Sequence, residues 1–149
     1  MKLFFDTCTV IDYLCNRQNA NCVEDILRKV EEKEWECYIS VGSFYTLTYL
    51  IELHLKRNGH TEKEERISKL REMLTNILST FSVADIFKED LLSSVNNTDF
   101  TDLEDSYQYK DAQNAKCDYL ITINIHDFKD ANMKNLRVIT PQDFLSEIK

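Results

Sequence analysis

Glycine and proline are almost missing from this chain, at two and one of 149 residues. That scarcity excludes a collagen-like repeat, a linker-rich chain or a disordered low-complexity one. No apolar run reaches eighteen residues, so no membrane-spanning helix is expected. CxxC pairs are missing as well. Cys8, Cys15 and Cys22 are spaced by sevens, with Cys37 and Cys117 further on, but the common zinc sites need close pairs with His or more Cys. These thiols read as buried small hydrophobes in a reducing compartment, with no disulfide framework. Excess positive charge is missing too: the net charge is −8 and the pI near 4.9. This excludes broad, non-specific binding to duplex DNA. It leaves room for an acidic metal site, where bound cations invert the local field.

Several chemistry-bearing motifs are likewise missing. There is no GxxxxGK[ST] loop, no GxGxxG fingerprint and no GxSxG elbow. His54, His60 and His126 have neither HxH nor HxxxH spacing; His126 falls near acidic residues but reads as a surface histidine. Met1-Lys2-Leu3-Phe4-Phe5 runs straight into Asp6 without a basic region, apolar stretch and cleavage site. No signal peptide is therefore expected, and the cytoplasm is the expected compartment. No internal repeat or dividing linker is visible, so residues 1–149 are read as a single domain.

What is present is the balance of a soluble globular protein, 43% hydrophobic and 30% charged residues. Leu3–Phe5 fits a buried parallel strand. A helix is expected after Thr9 through Val10, Ile11, Leu14 and Cys15, and another over 23–33. Strand 35–40 follows, then a helix from Ser43 that stops at Asn58-Gly59. Its core face takes Phe44, Leu47, Tyr49, Leu50, Ile51 and Leu53. The Tyr-rich start of that helix could stack bases, but aromatics at helical spacing are more often core or dimer interface. Thr61 and Glu64 have capping-box spacing for the next helix, whose core face uses Ile67, Leu70, Leu74, Ile77 and Leu78. A short strand at 81–84, a helix at 86–94, a polar loop at 96–100 and a helix at 102–115 follow. Then come strand 119–122, a short turn or helix over Phe128–Asn132, strand 137–139 and a closing helix started by Pro141. Strands alternating with helices predict a three-layer α/β/α fold on a central parallel sheet.

Ligand sites in such sheets lie beyond the carboxyl ends of the strands. Asp6 after the first strand, Asp102/Glu104/Asp105 at a helix start and Asn124/Asp127 after strand 119–122 all fall there. Carboxylates converging in this way suit Mg²⁺ or Mn²⁺, which prefer hard oxygen ligands, and such a centre can activate water against a phosphodiester. Each residue has a simpler reading as well. Asp6 can cap a helix, Asp102 and Asp105 can answer its dipole, and Asp127 can sit in a turn.

Four blocks then bear a family resemblance. Leu3-Phe4-Phe5-Asp6-Thr7-Cys8-Thr9-Val10-Ile11-Asp12-Tyr13-Leu14 resembles the opening of PIN domains, where a strand ends in a metal-binding Asp followed by a small hydroxyl residue. Asp102-Leu103-Glu104-Asp105, with Ala112 beyond it, resembles the family's second acidic block. Cys117-Asp118-Tyr119-Leu120-Ile121-Thr122-Ile123-Asn124-Ile125-His126-Asp127-Phe128 is similar to its late strand and turn. Val138-Ile139-Thr140-Pro141-Gln142-Asp143-Phe144-Leu145 resembles its closing strand and helix. The resemblance implies a metal-dependent endoribonuclease cutting single-stranded RNA, of the small VapC-like toxin type that pairs with an antitoxin protein. It implies Mg²⁺ or Mn²⁺ held by Asp6 and Asp105 with Asn124 or Asp127, and Asp102 and Glu104 in support. It also implies Thr7 beside the centre, Thr122 bonded to the acidic cluster or to phosphate, and a homodimer, for which the apolar, Tyr-rich 44–53 helix is a candidate surface.

One departure stands out. Where the family has a metal-organising Glu, about six residues beyond the strand-end Ser, this chain has Tyr45 or Thr46. Glu52 on the same helix falls on another face at about 100° per residue. Two readings follow: an active ribonuclease using Asp6, Asp105 and Asp127, or a weakened PIN-fold module that binds RNA or a partner protein without cutting.

Overall fold

The computed structural model describes residues 1–128 and 135–149. In chain order the elements are β1 (Lys2–Phe5), α1 (Thr7–Leu14), α2 (Ala20–Glu32), β2 (Glu36–Ser40), α3 (Val41–Arg57) and α4 (Lys63–Thr80). They continue with β3 (Ser82–Ala84), α5 (Lys88–Val95), α6 (Leu103–Asn114), β4 (Tyr119–Ile121), β5 (Arg137–Ile139) and α7 (Pro141–Glu147). Every strand pair is parallel, in the order β3-β2-β1-β4-β5. This is the α/β/α architecture expected from alternating strands and helices.

β1 shows why the sheet is covered on both faces. Leu3, Phe4 and Phe5 are all fully buried, so the strand reads as a continuous apolar run without alternation. Leu3 and Phe5 pack with Ile39, Ile121 and Ile139 against Val23, Leu47, Ile51 and Phe144 of the helices on one face. Phe4 points the other way, with Leu120 and Val138, onto Tyr109 and Ala112 of α6 and onto Phe128. Burying each such side chain contributes about 1.5–3 kcal/mol.

The strand order reverses between β1 and β4. From β1 the chain steps outward through β2 to β3, then returns to the other side for β4 and β5. A crevice opens at such a switch point, beyond the strands' carboxyl ends. Two backbone bonds extend the ladders past those ends: Asp6 N–H donates to Ile121 O and Thr122 N–H to Ile139 O, each at 3.0 Å.

Several local expectations need correction. The helix after Gly59 is not capped by a Thr61–Glu64 box; the Glu62 carboxylate accepts from the backbone N–H of Glu64 and Glu65 at 2.9 and 2.7 Å. An acidic cap suits the positive end of the helix dipole. Tyr49 and Leu78, expected in the core, are 66% and 50% exposed, because α3 and α4 bury only narrow stripes, Leu47-Ile51-Leu55 and Leu70-Ile77. Cys8, Cys15 and Cys22 are half-buried rather than buried; only Cys37 and Cys117 fit the expectation of core thiols. Ile125–Phe128 forms a short 3₁₀ turn, and the rest of the element expected over Phe128–Asn132 lies outside the described residues. Among the described residues no helix is long and apolar enough to cross a membrane.

Ser40 joins β2 to α3. Its Oγ accepts from Ser43 N–H at 2.8 Å, capping the helix, and bonds Ser43 Oγ at 2.9 Å. Ser40→Ala is expected to lower unfolding free energy by about 1–2 kcal/mol, read by urea denaturation at unchanged m. An undiminished midpoint would mean that the cap carries no stability.

Candidate active site

The elements that meet at the switch point deliver the acidic groups. β1 ends at Asp6, which is only 2% exposed and starts α1. Its side chain does not cap that helix. Instead Asp6 Oδ2 accepts from Thr122 Oγ1–H at 2.7 Å and from Cys8 Sγ–H at 2.9 Å. The simple capping reading of Asp6 therefore fails on geometry: its carboxylate points across the sheet toward β4. Thr122 is fully buried and its Oγ1 also accepts the Asn124 N–H at 3.1 Å.

α6 brings the second set. Asp102 caps it, its Oδ1 accepting from Glu104 N–H at 3.0 Å, at the helix end where the dipole favours its charge. It also lines the cavity into which Asp6, Glu104, Asp105 and Asn124 look. This cavity measures about 230 Å³, and among the described residues no Lys, Arg or His lines it. Asp127 lies outside the lining, on the exposed 3₁₀ turn, yet close enough for its charge to act on Asp105. A larger hollow of about 590 Å³ sits beside Trp35 at the amino-terminal end of β2 and holds none of these acidic residues.

The carboxyl groups raise one another's pKa. Burial pushes Asp105 up to about 8, and the charges of Asp6, Asp102, Asp127 and Glu104 add to the effect. Asp6 is raised by burial, against the opposing bonds from Cys8 and Thr122. Glu104 is raised by burial and by Asp6 and Asp102. Burial beside the Asp6 carboxylate pushes the Cys8 thiol up to about 12, so Cys8 stays protonated and acts as a donor.

Behind the carboxylates lies a chain of buried hydroxyls. Thr7 Oγ1 and Ser43 Oγ are 2.6 Å apart, and Gln108 Nε2 donates to Thr7 Oγ1 at 2.8 Å. Sequence reasoning missed Cys8 and Gln108. The available signal was position: Cys8 lies in the first turn after Asp6, and Gln108 one turn past Asp105 on the same face. The place of the expected Glu is settled in one respect. Tyr45 is 74% exposed, whereas Thr46 lines the cavity. Glu52 is engaged elsewhere, with Arg66 Nε at 3.3 Å.

The donor set fits a hard divalent cation in kind and in charge: carboxylates and an amide around one cavity, without a cationic side chain among the described residues that line it. Among the described residues no group of three or more His, Cys, Asp or Glu side chains is gathered for a metal ion. Mg²⁺ does not require one, since it keeps several waters and often takes only one or two carboxylates.

The family model for the PIN domain matches residues 2–126. The chain belongs to the PIN domain family. Solved structures show the same fold. VapBC2 from Rickettsia felis, bound to a DNA fragment from its promoter, is similar at 16% identity with a TM-score of 0.65 over 94% of this chain and 98% of that one. A toxin-antitoxin complex from Klebsiella pneumoniae is similar at 24% identity with a TM-score of 0.54, over 93% and 97% of the two chains. A search of curated proteins finds no match.

A carboxyl with a raised folded pKa binds its proton more tightly in the folded state than in the unfolded one. It therefore costs stability as pH rises from the ordinary carboxylate range, and the cost is complete above about 8 for Asp105. In chelator-containing buffer, Asp105→Asn is expected to raise the melting temperature at pH 9 and to change it little at pH 4. An equal shift at both pH values would show that the PIN-domain cavity carries no such repulsion.

Proposed function

We propose that this PIN domain is a metal-dependent endoribonuclease that cleaves single-stranded RNA, acting in the cytoplasm as the toxin of a toxin-antitoxin pair. The observation that carries the reading is the meeting of Asp6 and Asp105, with Asp102 and Glu104, in one cavity at the strand-order reversal, with no positive side chain among the described residues that line it. Asp6 and Asp105 would hold Mg²⁺ or Mn²⁺, with Asp102 and Asn124 as further oxygen donors. When bound, such an ion supplies charge stabilisation at phosphate oxygens and a more acidic water.

The chain's own residues prepare that chemistry. The Cys8 and Thr122 donors fix Asp6 Oδ2, so the carboxylate is oriented before substrate arrives. With its pKa pushed up to about 8, Asp105 would release a proton on cation binding, which would make that binding proton-linked. Thr122 ties the end of β4 to Asp6, and the Ser43–Thr7–Gln108 bonds tie α3, α1 and α6 together. Asp127, from outside, adds to the field at Asp105.

An antitoxin partner is supported by the solved neighbours, which are toxin-antitoxin complexes. A homodimer is supported by Tyr45 and Tyr49, which stand exposed on α3. Sedimentation over a range of concentrations is expected to show a dimer, and a monomer at all concentrations would remove it. A second reading rests on Thr46. With a neutral hydroxyl where the family resemblance calls for Glu, the domain would bind RNA or a protein partner without cutting.

One experiment separates the two. Pure protein is incubated with single-stranded RNA and Mg²⁺ or Mn²⁺, beside Asp6→Asn and Asp105→Asn. Cleavage is expected to fall roughly 100-fold or more in each variant, the scale of removing one preorganised charge-stabilising group. No cleavage by the parent chain, with calorimetry still detecting the ion, would favour the binding module. Neither cleavage nor ion binding would sink the metal-centre reading.

A further inference from the structure

α5 carries its apolar side outward. Of its residues only Ser94 is buried, whereas Leu91, Leu92 and Val95 are 38%, 64% and 50% exposed. Phe87, which precedes the helix, is 65% exposed. Phe87, Leu91 and Val95 are spaced i, i+4 and i+8, so they form one stripe, with Leu92 beside it. A surface helix ordinarily turns such a stripe to its own core. Here a polar contact sits on the inner side instead, Ser106 Oγ–H donating to Ser94 O at 2.9 Å, and the stripe is left to solvent.

The apolar surface continues across a groove. A hollow of about 310 Å³ lies between Ile86 and Leu91 on one side and Gly42 and Thr46 of α3 on the other. On α3, Gly42, Tyr45, Thr46 and Tyr49 fall within an arc of about 100°. Exposed Tyr45 and Tyr49 therefore stand on the far bank of the same groove. Glu104 and Gln108 line both this hollow and the acidic cavity, so the face borders the candidate active site.

Its size exceeds what a lone chain leaves open. A fully exposed Phe or Tyr presents about 150–250 Å². At the exposures of Phe87, Tyr45 and Tyr49, these three rings alone present roughly 300–500 Å². That already matches the about 300–600 Å² of the largest patch on a typical monomer. Leu91, Leu92 and Val95 carry the face toward the roughly 800 Å² that each partner buries in a standard interface.

Charge narrows the occupant. The chain carries −8, and a basic partner would be drawn to the acidic cavity. The six side chains of this face are uncharged, so two copies can meet there with the least of their mutual repulsion. The face also combines a hollow with raised side chains, the self-complementarity that a two-fold contact requires.

We propose that the α5 stripe and the groove beside α3 seat a second copy of this chain, in a two-fold contact that borders the acidic cavity of each copy. The assignment rests on the homodimer reading and deepens it, because it adds α5 to the surface of Tyr45 and Tyr49.

Sedimentation of the full chain, in chelator and without RNA, is compared for the parent, Leu92→Glu, Phe87→Glu and Leu78→Glu. All three positions are exposed, so folding, checked by melting, is expected to persist. Leu78 lies on α4, outside the stripe, and serves as the control. A two-fold contact counts each substitution twice. Leu92→Glu and Phe87→Glu are therefore each expected to weaken the dimer about 100-fold or more, and Leu78→Glu less than about threefold. Added salt screens one −8 chain from the other, so the parent dimer is expected to tighten as NaCl rises. A parent that stays monomeric at all concentrations would overturn this contact and the homodimer reading together, and would leave the face to a partner of another kind. A parent dimer that survives Leu92→Glu and Phe87→Glu as well as it survives Leu78→Glu would overturn the α5 seat alone. A dimer loosened by salt, or association that runs past the dimer into open chains, would overturn the apolar two-fold contact.

Discussion

The structure depends on the pairing of β1 with β4. Register Phe5↔Ile121 places Asp6 immediately beyond one strand and Thr122 beyond the other. The Asp6 N–H to Ile121 O bond then fixes the backbone, and the Thr122 hydroxyl fixes the carboxylate. A slip of one residue would turn Phe4 and Phe5 to the wrong faces of a sheet buried on both sides. The same packing that holds the core therefore holds the acidic centre. Because β1 is central and parallel to both neighbours, no single helix can move Asp6 without breaking a ladder.

Gathering carboxylates in a buried cavity opposes folding. Asp105 and Glu104 are both shifted in the direction that disfavours charge, and Asp6 with them. No core is improved by this arrangement, and uncompensated repulsion of this kind is typical of sites that bind something positive. The fold offsets it nearby. Asp102 spends its charge on the first backbone N–H groups of α6, where the helix dipole favours it, and the hydroxyl chain from Ser40 through Ser43 to Thr7 satisfies the polar floor.

Much of this was legible in the sequence because it rests on periodicity and on chain order. The uninterrupted Leu3-Phe4-Phe5 run required a strand covered twice, and the alternation of strands with amphipathic helices required parallel crossovers. The same ordering put Asp6, Asp105 and Asn124 at one edge of the sheet. What the pattern could not convey was the width of each buried stripe. Tyr49 and Leu78 look like core in an apolar helix, but α3 and α4 each turn only part of that surface inward. Nor could it show partners distant in sequence. Cys8 reads as a small hydrophobe until Asp6 turns its oxygen back toward it, and the bond from the Gln108 amide to Thr7 spans 101 residues of chain.

Thr46 is where electrostatics and chemistry pull in opposite directions. It occupies the cavity wall that the family resemblance assigns to a Glu. A carboxylate there would add a further negative charge beside Asp105, whose pKa is already pushed up to about 8, and would raise the cost of the empty cavity. The hydroxyl avoids that cost and gives up part of the attraction for a dication. Glu52 cannot restore it, since it faces Arg66 on the far side of the helix turn. On the proposed metal-centre reading, cation affinity would come chiefly from Asp6 and Asp105, with water filling the other positions, the coordination Mg²⁺ favours over a full protein cage.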